Sequence, residues 1–144
     1  MADLDPLIRL KKHAVEEKQR VVAQLYREIE NLEKQKQIVQ EQMAHEKKLA
    51  EDMNRPEAIT YYGRYAEGAR KKIAALQSTI KKVEMRIEAA QEDMRAAFAD
   101  MKKIQITQTN REKREEKKRQ KKEDDLLDEV ALEQYRRKVL DDEK

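Results

Sequence analysis

Two histidines, His13 and His45, are the only side chains of this sequence that ordinarily titrate near neutral pH, and they lie far apart along it. Neither sits at a metal-ligand spacing. His45 adjoins Glu46, but with 30 Asp and Glu in 144 residues a neighbouring carboxylate marks no site. There is no Cys, which removes thiolate nucleophiles, thiolate metal sites and disulfides and leaves the redox compartment open. The expectation is a protein that is not an enzyme, with no catalytic residues, no metal and no cofactor.

The remaining candidates bind rather than react. Tyr61, Tyr62 and Tyr65 put three of the five tyrosines within five residues, and both glycines, Gly63 and Gly68, weaken a helix in the same stretch. These tyrosines read either as an aromatic plug packed on Leu49 and Met53 or as an exposed contact for a partner, since Tyr is enriched at binding hot spots. Arg111 to Lys122 carries eight Lys/Arg against three Glu, a net of +5. It lacks interleaved aromatics, and the acidic residues from Glu123 onward offset it. Leu126, Leu127, Val130, Ala131, Gln134, Tyr135 and Val139 then follow helical spacing. This stretch reads as an interaction surface or as frayed, charge-rich disorder.

The elements that position these residues are set by two apolar stripes. From Ile59 the apolar residues step by three and four: Ile59, Tyr62, Ala66, Ala69, Ile73, Leu76, Ile80, Val83, Ile87, Ala90, Met94, Ala97, Met101, Ile104. That 3.5-residue repeat is the seam of a left-handed coiled coil. A rougher stripe precedes it: Leu4, Ile8, Val15, Val22, Leu25, Ile29, Leu32, Val39, Met43, Ala50 and Met53. Folding the chain at Pro56 so that position i faces 112 − i matches the two stripes layer by layer. Met53 then meets Ile59, Leu25 meets Ile87, Ile29 meets Val83, and Ile8 meets Ile104. The fold class is all-α: a long antiparallel two-helix coiled-coil hairpin, roughly 75 Å long at about 1.5 Å per residue, with an overhanging C-terminal helix.

Boundaries follow from the few breakers present. Asp5-Pro6 reads as a capped helix start, with a first helix over about 6–53. Asn54-Arg55-Pro56 is the turn, at 54–55. A second helix runs from Pro56 to about 122, and an amphipathic segment follows over 123–144. The second seam should end after Ile104, where its positions become Gln108, Arg111, Glu115 and Lys118. Lys11, Lys18 and Lys36 fall on the first seam. They read as snorkelling stems, or as a loosened seam open to a partner.

Composition closes off other classes. With 44% charged and 4% aromatic residues the chain cannot build a broad core, and only the narrow seam overrides a reading of disorder. A net charge of +3 is too small to predict nucleic-acid binding. The start has no basic and apolar leader, and no apolar run reaches membrane-spanning length. A cytoplasmic address is expected. Leu7, Leu10 and Ala14 add apolar positions beside the first seam. With the terminal segment they make two unpaired strips at one end, which suggests insertion into something.

The sequence resembles the flagellar type III export stalk proteins, the FliJ family, in its alphaproteobacterial form. The resemblance is carried by Leu7-Ile8-Arg9-Leu10-Lys11-Lys12, Val15-Glu16-Glu17-Lys18, Ala97-Phe98-Ala99-Asp100-Met101-Lys102-Lys103, Leu127-Asp128-Glu129 and Tyr135-Arg136-Arg137, and it spans essentially the whole chain. It implies a soluble component of the flagellar export apparatus, serving flagellum biogenesis, protein transport and, downstream, chemotaxis. Such a stalk sits in the pore of the hexameric export ATPase, by analogy to the gamma subunit of rotary ATP synthases. It also contacts the cytoplasmic domain of the export gate and binds escort chaperones. With the apolar strips, this implies ATPase binding at Leu7, Arg9, Leu10, Lys11, Lys12, Leu126, Leu127 and Val130, and export-gate binding at Tyr61, Tyr62 and Tyr65. Its expected place is the cytoplasmic face of the inner membrane, with membrane association through partners only. A coiled-coil scaffold or spacer with no ATPase partner is the alternative.

Overall fold

The computed structural model describes residues 3–143. It holds two helices, α1 (Asp5–Met53) and α2 (Pro56–Asp142), joined by the two-residue turn Asn54-Arg55. The helices pack together, and no strand occurs among the described residues.

The start of α1 differs by one residue from the expectation. Asp5 is the first helical residue rather than the cap. The Asp3 carboxylate takes the capping role, accepting from the Asp5 amide at 3.0 Å, and Ile8 N donates to Leu4 O at 2.9 Å to close the first turn. Asp5 thereby places a negative charge in the first turn, where the helix dipole favours it. At the other end Asn54 adopts φ 47°, the left-handed conformation, and its amide bonds Ala50 O. Asn tolerates that geometry better than residues other than Gly, so it terminates α1 at low cost. Pro56 then opens α2, where its missing N–H is no loss, and Glu57 complements the new dipole.

The chain divides into two units. One is Lys11–Ala99; the other combines the start of α1 up to Leu10 with α2 from Asp100 onward. Within Lys11–Ala99 the register is the expected one. Leu25, Val83, Ile87 and Ala90 form a buried cluster, with Val22, Ile29 and Leu32 packed against it. These are the layers that 112 − i brings together. Val83 is the most deeply buried large side chain, 2% exposed. Burying each such aliphatic group stabilises the pair by about 1.5–3 kcal/mol, which lets a seam this narrow order two highly charged helices.

In the second unit the same register holds in a polar form. Leu4 N, an amide that α1 itself leaves unpaired, donates to the Gln108 side-chain carbonyl at 3.3 Å. Met101 is buried, and Ile104, Gln108 and Arg111 are half-buried. The seam therefore does not stop at Ile104. Polar side chains carry it on to Arg111, because a glutamine there can satisfy a helix-start donor. From 112 to 143 every residue is exposed, and α2 continues without a break to Asp142.

One expected layer is not buried. Met53 is 65% exposed and Ile59 is 59% exposed. They border the turn, so no further layer covers them.

Candidate interaction surfaces

The first surface surrounds the turn. Leu49, Ala50, Met53, Ala58 and Tyr61 line an open groove of about 840 Å³, with Glu46, Arg55 and Glu57 at its edges. Leu49 and Tyr61 are both exposed. Tyr61 lines this groove together with Leu49 and Met53 and is 64% exposed. Tyr62 is half-buried on the seam. Tyr65 is half-buried too and faces a shallow hollow shared with Glu41, Gln42, His45 and Glu46. The three tyrosines thus have different settings, and Tyr61 alone offers most of its ring to solvent.

Sequence reasoning missed the groove itself. Leu49 lies beside the seam position Ala50 and Ala58 precedes the first step at Ile59, so the 3-4 period marks neither. Glu46 was missed as a seam position, yet it is half-buried opposite Ala66, which is 1% exposed. Its place between Met43 and Ala50 in the 3-4 step was the available signal; its charge concealed it.

The second surface belongs to the unit containing both chain ends. Leu10 is 63% exposed and Leu7 37%, and Arg9 is exposed. Leu126, Leu127 and Val130 are all exposed. Leu7, Arg9 and Leu10 therefore share one unit with Leu126, Leu127 and Val130, whereas Lys11 and Lys12 fall in the other. Leu132, Tyr135, Val139 and Leu140 extend the exposed apolar area further along α2.

The seam lysines separate into different settings. Lys36 is half-buried, with its ammonium group 3.4 Å from Glu33, as a snorkelling side chain would be. Lys11 is half-buried and Lys18 is exposed. Charges elsewhere pair mainly within a helix, and Arg86–Glu28 at 3.8 Å joins α2 to α1. Gln91 also donates to the Tyr26 hydroxyl across the seam, at 2.9 Å. Exposed pairs of this kind contribute little to stability. Glu116 hydrogen-bonds Arg119 and raises its pKa, with the charge of the same carboxylate as the next cause.

His13 lies 3.8 Å from Glu17, an ordinary helix-surface pair, and His45 borders the Tyr65 hollow. Among the described residues no group of three His, Cys, Asp or Glu side chains is arranged to hold a metal ion, and no helix is long and apolar enough to cross a membrane. What these surfaces offer is adhesion: an apolar groove with an exposed tyrosine, and a solvated helix bearing leucines.

The family model described as Flagellar FliJ protein matches residues 1–140. No curated protein and no solved structure matches the chain.

Proposed function

Because the chain belongs to the FliJ family, we propose that it is a non-enzymatic part of the flagellar protein export apparatus and acts as a central stalk that promotes the export ATPase hexamer. The observation that carries this reading is the family match over nearly the whole chain. The exposed leucines at both chain ends support it, since a passive spacer has no use for them.

In this reading Leu7, Arg9, Leu10, Lys11 and Lys12, with Leu126, Leu127 and Val130, engage the ATPase pore. The bases steer the approach and the leucines hold the docked state. Tyr61, Tyr62 and Tyr65 face the cytoplasmic domain of the export gate, with the groove beside Tyr61 giving that contact an apolar floor. Escort chaperones are further partners. The protein works in the cytoplasm at the inner face of the membrane, held there by its partners.

Two assays test the two ends. The chain should co-purify with the hexameric ATPase, and failure to do so would favour a spacer without a motor partner. Replacing Tyr61 and Tyr65 with Ala should impair export with helicity nearly unchanged. Lower thermal stability with normal gate binding would instead make these tyrosines structural.

A further inference from the structure

The exposed stretch of α2 carries its charges in an ordered pattern. At about 100° per residue, Lys113, Lys117 and Lys121 lie beside Arg114, Lys118 and Lys122 on one face. Glu112, Glu115 and Glu116 occupy the opposite side, where Glu116 pairs with Arg119. Further along, the basic face gives way to an acidic one: Asp124, Asp125, Asp128, Glu129 and Glu133. One continuous face is thus basic in its first half and acidic in its second. All of these residues are exposed.

We propose that this face pairs antiparallel with the same face of a second copy of the chain, in the register that sets position i against position 246 − i. The charges select that arrangement. Lys118 then opposes Asp128, and Lys121 opposes Asp125. Both acidic residues of the seam receive a lysine, and two-fold symmetry repeats each pair. A parallel in-register pair would instead set Lys118 on Lys118 and Asp128 on Asp128.

The spacing fits as well. Arg114, Lys118, Lys121, Asp125, Asp128 and Leu132 step by three and four, symmetrically about Glu123. This is a coiled-coil seam with charged central layers. Its outer layers place the Arg114 stem over Leu132, so exposed apolar surface is covered at both ends. The stripe that holds Leu4 and Ile8 runs through Met101, Ile104 and Gln108 to half-buried Arg111; beyond it, from 112 onward, the face is exposed. Exposed ion pairs contribute little each, so the dimer is weak and strongly salt-dependent.

Sedimentation of the full chain tests this. At low ionic strength, about 20 mM, the chain should dimerise, and about 500 mM salt should weaken the dimer at least tenfold. K118E/K121E and D125K/D128K should each abolish self-association while keeping wild-type helicity. Mixing the two variants should restore a dimer, because each reversed block then meets its complement. A chain that stays monomeric at low salt, a dimer indifferent to both reversals, or a mixture that fails to associate would overturn the proposal.

Discussion

The two parts of α2 differ in how they are held. From Tyr62 to Ala97 it buries or half-buries a residue at every 3-4 step against α1; from 112 to 143 it buries none. Both parts are rich in charge and both are helical. What separates them is one column of side chains: Ile80, Val83 and Ile87 in the first, and charged residues at most equivalent positions in the second. Helicity along this chain is therefore no guide to where tertiary packing energy resides, and the two parts should respond oppositely to substitution.

The largest response belongs to the seam. Val83→Asp would place an unpaired carboxylate at the most buried large side chain, at a cost of several kcal/mol. Thermal unfolding followed by circular dichroism should show the hairpin cooperatively lost or its midpoint far lower. Leu25→Ala, in the same cluster, should cost about 2–4 kcal/mol by denaturant titration. The matching change in the other part, Leu126→Ser with Leu127→Ser, should leave that transition unmoved, since both side chains are already in solvent.

Smaller effects sharpen the comparison near the turn. Asn54→Ala should cost about 1 kcal/mol because alanine resists the left-handed φ, whereas Asn54→Gly should be neutral or slightly stabilising. A methyl group added at Gly63 or Gly68 would meet nothing within 4 Å. Each Gly→Ala change should therefore stabilise the helix by about 0.5–1 kcal/mol, read as a raised midpoint.

The hairpin was legible because coiled-coil physics is written in sequence period. A 3-4 repeat and one turn signal predicted the Leu25–Ile87 and Ile29–Val83 layers, and the Leu4–Gln108 bond obeys the same register. Apolar pattern could not disclose polar side chains recruited to the seam. Glu46 and Gln108 sit there because a stem can cover a small residue and an amide can satisfy a helix-start donor. Pattern also could not show that Met53 and Ile59 lack a covering layer at the turn. The candidate surfaces were legible by residue type, as tyrosines and leucines, but not by setting. Exposure of Tyr61 and the groove beside Leu49 depend on how the end of α1 and the start of α2 meet at the turn, which no period encodes.

In the proposed function the solvated end of α2 acts on the export ATPase while the apolar seam holds the hairpin together. That role is tested most directly by measuring ATP turnover of the purified hexamer against added full chain and against a chain ending at Asp125. The account predicts that the shorter chain keeps the hairpin's unfolding transition and stimulates turnover markedly less. Equal stimulation by both chains would contradict it and remove Leu126, Leu127 and Val130 from the docking surface.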